Sequence, residues 1–399
     1  MSEIIVAGAG SGDESQLTHE VHEALMNSDV ILASSRFRKL IPPDKRIIDL
    51  KDFDSSFNQL EHEHGNKLIL LSGDPCLYSL LSVIKKRFQN ENIRVLPGIS
   101  SLQILCAHAN ESWTDSVILS GHGRALRAGV FLNLVERNKL VILFCDKRIS
   151  PQWACENLIR IHGNIEVFIG CSLGSENEQI FHGKPEEFLH ETFPELSVML
   201  IKNHNVYTPV NMHIRDSEFL RVNKIVMTNE CVRSVILSRL NLNRDLILWD
   251  IGAGSGSISI SAGHENIYAE IHAVEYKHEA AELISRNASR FHTHNIIIHE
   301  ARALDVIDSL STPTHIFIGG TEGELAGILE FISRMKEPVY VMIACVTLET
   351  FNTAYNILKD WKNFDAVQIS VSESKNLNSS MTLINARTPV MLISASHNV

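Results

Sequence analysis

Short apolar runs alternate with stretches of helical period along the whole chain. Runs at Ile4–Ala7, Val30–Ala33, Leu68–Leu71, Arg94–Leu96, Val117–Leu119, Leu140–Cys145, Glu166–Ile169 and Val198–Ile201 predict strands, with helices between them at Ser15–Asn27, Tyr78–Phe88 and Ser100–Ala109. Lys202–Arg215 carries neither period and holds Asn203, His204, Asn205, Pro209 and Asn211, so a boundary is expected there. A second series follows. Thr228 reads as the N-cap of a helix reaching Arg239, and strands are expected at Leu246–Asp250, Glu270–Val274, Ile296–His299, His315–Ile318, Val339–Ala344, Ala366–Val371 and Val390–Ser394. Helices His278–Phe291, Glu324–Met335 and Leu348–Lys359 fall between them. The alternation predicts an α/β protein of two domains, residues 1–203 and 212–399, the second with one seven-stranded doubly wound sheet.

Composition changes this picture in few places. A net charge of −11 argues against a nucleic-acid partner. Seven scattered cysteines without a C-x-x-C pair suit reduced structural thiols in a cytoplasmic protein. Met1-Ser2-Glu3 and the short apolar run after it read as a first strand, not a signal peptide, and no run reaches membrane-spanning length. His62/His64 and His292/His294 form H-x-H pairs, yet no further ligand shows metal-site spacing, so no metal is expected.

The strongest local signal is Leu248-Trp249-Asp250-Ile251-Gly252-Ala253-Gly254-Ser255-Gly256. A buried strand ends in an acid and a glycine turn opens a helix; Val274-Glu275 then ends the next strand, where a carboxylate suits ribose hydroxyls. The dinucleotide fingerprint fails, because Gly254 is followed by Ser255-Gly256-Ser257. The pattern resembles class I methyltransferases. No N/D-P-P-Y/F loop follows the fourth strand, where Phe317-Ile318-Gly319-Gly320-Thr321 stands instead, which argues against an amine on a nucleobase. With Arg215-Asp216, the Arg221–Thr228 segment and Val346-Thr347-Leu348-Glu349-Thr350, the second half resembles the T-module methyltransferases of the corrin pathway. That resemblance implies S-adenosyl-L-methionine contacts at Thr228, Gly252, Ala253, Gly254, Ser255, Gly256, Glu275 and Ala301. The chain departs from the family pattern at Ala301-Arg302, Ala344 and Ser379-Ser380.

In the first half, Ser72-Gly73-Asp74-Pro75, Pro97-Gly98-Ile99-Ser100-Ser101 and Ser120-Gly121-His122-Gly123-Arg124 each follow a strand. Turns rich in backbone donors and short hydroxyls suit a polar cofactor at the carboxyl edge of a parallel sheet. As a set they resemble the tetrapyrrole methylase family, E module, a two-lobed α/β fold with the cofactor between its lobes. The resemblance implies cofactor contacts at Ser72, Gly73, Asp74, Ser100 and Ser101. Ser11 replaces the proline usual in the first loop, Gly8–Asp13. Although GAGSG recurs at Gly8–Gly12 and Gly252–Gly256, the flanks share nothing, so no duplication is read.

Modules in the order E then T resemble the fused corrin-pathway C-methyltransferases. The implied activity is S-adenosylmethionine-dependent methylation of C5 and C15 of a precorrin-type tetrapyrrole, with loss of the ring C acetate carboxyl as carbon dioxide. A polycarboxylate substrate calls for cations: Arg215, Arg221, Lys224, Arg302 and Lys375 in the second half, and Arg36, Arg38, Lys39, Arg124 and Arg127 in the first. No catalytic triad is evident, and Glu230 and His122 are the candidate proton carriers. The resemblance also implies a homo-oligomer, with a tetramer built through the second domain. Two alternatives stay open: a two-domain methyltransferase for another tetrapyrrole, and a cofactor-binding sensor or scaffold with one degenerate site.

Overall fold

A computed structural model describes residues 3–122, 126–209, 213–378 and 381–398. It divides into two compact units, Met1–Leu126 with Val135–Val206, and Arg127–Leu134 with Tyr207–Val399.

The first unit holds two sheets. Strands β1 (Glu3–Gly8), β2 (Val30–Ala33), β3 (Arg46–Asp49), β4 (Lys67–Leu71) and β5 (Asn92–Leu96) pair in parallel in the order β3-β2-β4-β1-β5. Every residue of β4 is buried, as expected of a central parallel strand covered on both faces. Alternate side chains supply two cores: Ala7, Ile31, Leu68 and Leu70 on one face, Ile4, Val6, Leu32 and Ile69 on the other. Strands β6 (Val117–Ser120), β7 (Leu140–Phe144), β8 (Ile165–Cys171), β9 (Gln179–Gly183) and β10 (Ser197–Asn203) form the second sheet, β6-β7-β10-β8-β9, antiparallel except for β6 with β7.

The second unit holds the seven-stranded sheet that the apolar pattern predicts. Its strands are β11 (Ile247–Ile251), β12 (Glu270–Glu275), β13 (Ile296–Glu300), β14 (His315–Ile318), β15 (Val339–Cys345) and β16 (Lys362–Ile369); after the hairpin β17 (Ser372–Asn378) and β18 (Met381–Ala386), β19 (Val390–His397) completes it. The order is β13-β12-β11-β14-β15-β19-β16, with β19 antiparallel to both neighbours. From β11 the chain steps outward to β12 and β13, then returns to the other side of β11 with β14. The order therefore reverses between β11 and β14, and a crevice at their carboxyl ends is the ligand position such a sheet offers.

Three expectations need correction. The Ser15–Asn27 helix is a short turn at Glu14–Gln16 followed by the helix His19–Asn27, because the Thr18 hydroxyl accepts from the Val21 N–H and starts the helix there. The helix expected from Tyr78 begins at Leu81, and Tyr78 itself takes a left-handed φ of 47°. Asn229, not Thr228, caps the helix Glu230–Leu240 through its side-chain oxygen and the Cys231 N–H. Strands β3 and β9 and the β17–β18 hairpin add to the predicted set. The cysteines are unpaired, five of them buried. Among the described residues no helix is long and apolar enough to cross a membrane, and no group of three or more His, Cys, Asp or Glu is placed to hold a metal.

Candidate active sites

At the end of β11 the chain turns through Gly252, Gly254 and Gly256, all at positive φ, and enters the helix Ser257–Glu265. The turn is held by the Gly252 and Ala253 N–H groups donating to Val274 O, at 2.9 and 3.1 Å. The Gly254 N–H donates to Glu275 Oε2 at 2.9 Å, and the Lys277 N–H to Glu275 Oε1 at 3.0 Å. Glu275, buried at the end of β12, is thereby oriented toward the glycine turn. The Ala301 N–H donates to Glu275 O at 3.2 Å, so the turn after β13 joins the same edge. From the other side the Ser255 N–H donates to Val226 O at 3.2 Å, which brings the segment leading to Thr228 against the loop. Gly252, Ala253, Gly254, Ser255, Gly256, Glu275, Ala301 and the Thr228 segment thus gather at the carboxyl ends of β11, β12 and β13. The Ser255 hydroxyl is buried at this turn with no partner among the described residues.

Asp250 is fully buried one strand position before the turn and accepts from both the N–H and the hydroxyl of Ser259. Burial pushes its carboxyl up to about 6, against the lowering effect of the Ser259 bonds. Because the folded value lies above the unfolded one, this group's contribution to stability is complete below the unfolded value of 3.8 and is lost as pH rises through about 6. Asp250→Asn keeps an acceptor for Ser259 but carries no charge. Its stability relative to wild type should therefore improve between pH 4 and 7, by up to about 3 kcal/mol. Urea unfolding of both proteins across this range checks it; a difference independent of pH would refute the buried-carboxylate reading.

Sequence reasoning missed Arg233. Its side chain is fully buried and binds Asp216 Oδ1 at 2.9 Å, Thr228 O at 2.8 Å and Ile214 O at 2.6 Å, with Phe219 packed on the guanidinium. Asp216 and Glu230 add reciprocal bonds, the Asp216 N–H to Glu230 Oε2 at 2.7 Å and the Glu230 N–H to Asp216 Oδ2 at 3.2 Å. Glu230 is thus engaged in holding the segment. The signal was present as an arginine at an apolar-stripe position beside Ile236, Leu237 and Leu240.

The predicted substrate cations divide. Arg221 is exposed near Thr228 and donates to Asp216 O at 3.0 Å. Arg215 and Lys224 are exposed on the same segment. Arg302 is committed to Glu324 at 2.9 Å and lies over Tyr276. The Lys375 side chain, Arg124, Gly123 and Ser379-Ser380 lie outside the described residues. In the first half Arg36, Arg38 and Lys39 are exposed on the short turn Ser35–Leu40. Arg127 belongs to the second unit, where it pairs with Glu270 at 3.3 Å at the start of β12, away from the crevice edge.

In the first unit three loops meet at the carboxyl ends of β4, β1 and β5. Gly10 and Gly73 bridge, with the Gly73 N–H donating to Gly10 O at 2.9 Å. The Asp74 carboxylate accepts from the Cys76 N–H at 2.7 Å and the Gly98 N–H at 3.2 Å, tying the Ser72–Asp74 loop to the Pro97–Ser101 loop. A Cβ on Gly8 would lie 2.4 Å from Gly73 O and 2.7 Å from Gly98 Cα, so only glycine lets these loops close up. Ser100, buried, stands at the N-cap of the helix Ser101–His108, and its N–H donates to Gln103 Oε1 at 2.8 Å. Ser72, Gly73, Asp74, Ser100 and Ser101 therefore share one edge. Ser11 donates to Gly174 O at 2.7 Å, a bond that proline could not make.

Residues 222–397 match the family described as precorrin methyltransferase domain, and residues 3–189 match the tetrapyrrole (corrin/porphyrin) methylases. The second half is 30% identical over 183 residues to a probable cobalt-precorrin-6B C(15)-methyltransferase (decarboxylating) of Sulfurisphaera tokodaii, covering 45% of this chain and 95% of that protein. A probable cobalt-precorrin-7 C(5)-methyltransferase of Methanocaldococcus jannaschii is 30% identical over 203 residues, 49% of this chain and 95% of its own length. A precorrin-6Y C(5,15)-methyltransferase [decarboxylating] of Sinorhizobium sp is 25% identical over 334 residues, 81% of this chain and 78% of that protein.

Proposed function

The chain belongs to the precorrin methyltransferases through its second half and to the tetrapyrrole methylases through its first, and from that premise we propose that it is a bifunctional C-methyltransferase of cobalamin biosynthesis. It methylates C5 and C15 of a precorrin-6B-type tetrapyrrole and removes the ring C acetate carboxyl as carbon dioxide. The observation that carries this reading is the presence, in one chain, of two loop sites at the carboxyl ends of parallel strands in two separate sheets, in a chain that aligns over 81% of its length with the Sinorhizobium precorrin-6Y C(5,15)-methyltransferase [decarboxylating]. The domains of this reading are residues 1–203, acting at C5, and 212–399, acting at C15.

S-adenosyl-L-methionine supplies an electrophilic methyl group when bound. In the second domain the Gly252–Gly256 backbone, Glu275, Ala301 and the Thr228 segment would hold it; Ser72, Gly73, Asp74, Ser100 and Ser101 would hold it in the first. The remaining lone pairs of Glu275 suit ribose hydroxyls. The electron-rich bridge carbon of the substrate is the nucleophile, so the protein's part is alignment and exclusion of water. On decarboxylation the carbon–carbon bond electrons pass into the conjugated macrocycle, and a proton replaces the lost carboxyl. Arg215, Arg221, Lys224 and Lys375 are the cations of this reading for the substrate carboxylates.

The proposal includes a cytoplasmic homo-oligomer, a tetramer. The β17–β18 hairpin supports it: Met381, Leu383 and Ile384 are exposed on a two-stranded ribbon, an apolar surface that a monomer rarely leaves bare. Mass spectrometry of a precorrin-6B-type substrate, with and without cobalt, tests the activity. Gain of two methyl groups with loss of one carbon dioxide is expected. One methyl with decarboxylation would confine activity to the second domain, and an unchanged substrate would overturn the reading.

A further inference from the structure

The hairpin β17–β18 opens at its base onto the corner where the Glu230–Leu240 helix begins. Glu373 stands at that base and Arg387 directly follows β18. Arg387 donates to Glu373 Oε2 from Nε at 3.1 Å and from Nη2 at 2.7 Å. The other carboxylate oxygen accepts from Asn229 Nδ2 at 2.6 Å. The Arg387 N–H donates to Val371 O at 2.8 Å, closing the hairpin base. Glu373 therefore ties the hairpin to the residue that follows Thr228, beside the segment that bonds the glycine turn. Arg221 belongs to the same cluster. It binds Asp216 O; the Arg387 hydrogen bonds lower the Glu373 carboxyl and the Glu373 hydrogen bonds raise Arg387, with smaller contributions in the same directions from the charges of Arg221 and Asp216.

A guanidinium has five N–H donors. Arg387 uses one from Nε and one from Nη2 on Glu373, which leaves the Nη1/Nη2 edge, the edge suited to two parallel bonds with a second carboxylate. The side chain is 56% exposed. Arg221, 59% exposed, is held through Nη2 alone. Surface arginines are commonly just solvated, but Arg387 is held by the Glu373 carboxylate and Arg221 by the Asp216 carbonyl, and Glu373 in turn holds Asn229, the neighbour of Thr228.

We infer that Arg387 and Arg221 form a two-arginine clamp for a carboxylate side chain of the macrocycle, with Glu373 as its positioning residue, so that the hairpin base is part of the substrate site. The inference rests on the proposed function for its substrate class. It adds a residue from the far side of the hairpin and a reason for the hairpin's tether.

Steady-state kinetics of decarboxylating methylation, with calorimetry of S-adenosylmethionine binding, test it on the full chain. R387A should raise the KM for the tetrapyrrole about 10- to 100-fold, the loss expected of hydrogen bonds to a charged group, with kcat and cofactor affinity within about twofold of wild type. R387K keeps the charge but not the fork and should recover only part of the loss. A KM for R387A within twofold of wild type overturns the clamp. So does a parallel loss of kcat and cofactor affinity, which would mark a residue that only holds the fold. Should R387A unfold, a folded R387K with wild-type KM overturns it equally. Absence of turnover in the wild-type chain would instead fell the functional reading itself.

Discussion

Gly252→Ala should abolish S-adenosylmethionine binding by the second domain and lower that domain's stability by about 2–4 kcal/mol, whereas Gly320→Ala should leave both near wild type. Gly252 sits at φ +69°, and a Cβ there would lie 2.1 Å from Gly320 O and 2.7 Å from Gly320 C. The left-handed conformation alone costs alanine about 1 kcal/mol. The overlap adds a further about 1–3 kcal/mol, as forced packing does elsewhere. Relief by movement is blocked, because the neighbouring Gly319 N–H is bonded to Ile251 O at 2.9 Å and the Gly252 N–H to Val274 O. The only way out is to open the turn, which pulls Gly254 from Glu275 and Ser255 from Val226 and so dismantles the crevice wall. Gly320 has nothing within 4 Å of its own Cβ position and no positive φ to defend. Calorimetric titration with the cofactor and urea unfolding measure both effects. Wild-type affinity in the Gly252 variant would show that the close approach to Gly320 is dispensable.

What was legible in the sequence was local. The glycine turn, the acid at the end of β12 and the loops after β1, β4 and β5 are short-range patterns, and a parallel sheet brings successive strand ends to one edge whatever lies between them. The seven strands of the second sheet were legible because buried parallel strands are unbroken apolar runs. Partnerships across long stretches were not legible. Asp216 meets Arg233 over 17 residues and Asn229 meets Glu373 over 144, and neither pair has a periodicity to betray it. Thr228 and Asn229 are both competent caps; the choice falls to Asn229 because the Thr228 carbonyl is taken by Arg233. Arg302 had the right charge near the right turn, yet Glu324, in the loop after β14, already holds it. The hairpin escaped notice because β18 is exposed throughout, which removes the alternation by which strands are recognised.

The second large effect concerns Arg233. Its replacement by alanine should lower stability by about 3–5 kcal/mol, the range for breaking a buried ion pair by removing one member. Three acceptors are stranded at once: the Asp216 carboxylate, Thr228 O and Ile214 O. The carboxylate retains bonds from Glu230 N and from nothing else so strongly placed, so most of the cost is an uncompensated charge. The Ile214–Thr228 segment then loses its anchor, and with it Val226, the partner of Ser255 at the glycine turn. Cofactor affinity in the second domain should fall with stability, and the first domain's should stand. Asp216→Ala strands the opposite charge, a guanidinium with no exposure of its own, and should cost a similar amount. Once either partner is gone, removing the other takes away a stranded charge, so the double variant should be less damaged than the sum of the two singles, by about 1–3 kcal/mol. Urea unfolding of the four proteins gives this coupling. Strict additivity would mean that Arg233 holds the segment through the two carbonyls and the Phe219 ring alone, with Asp216 an incidental neighbour.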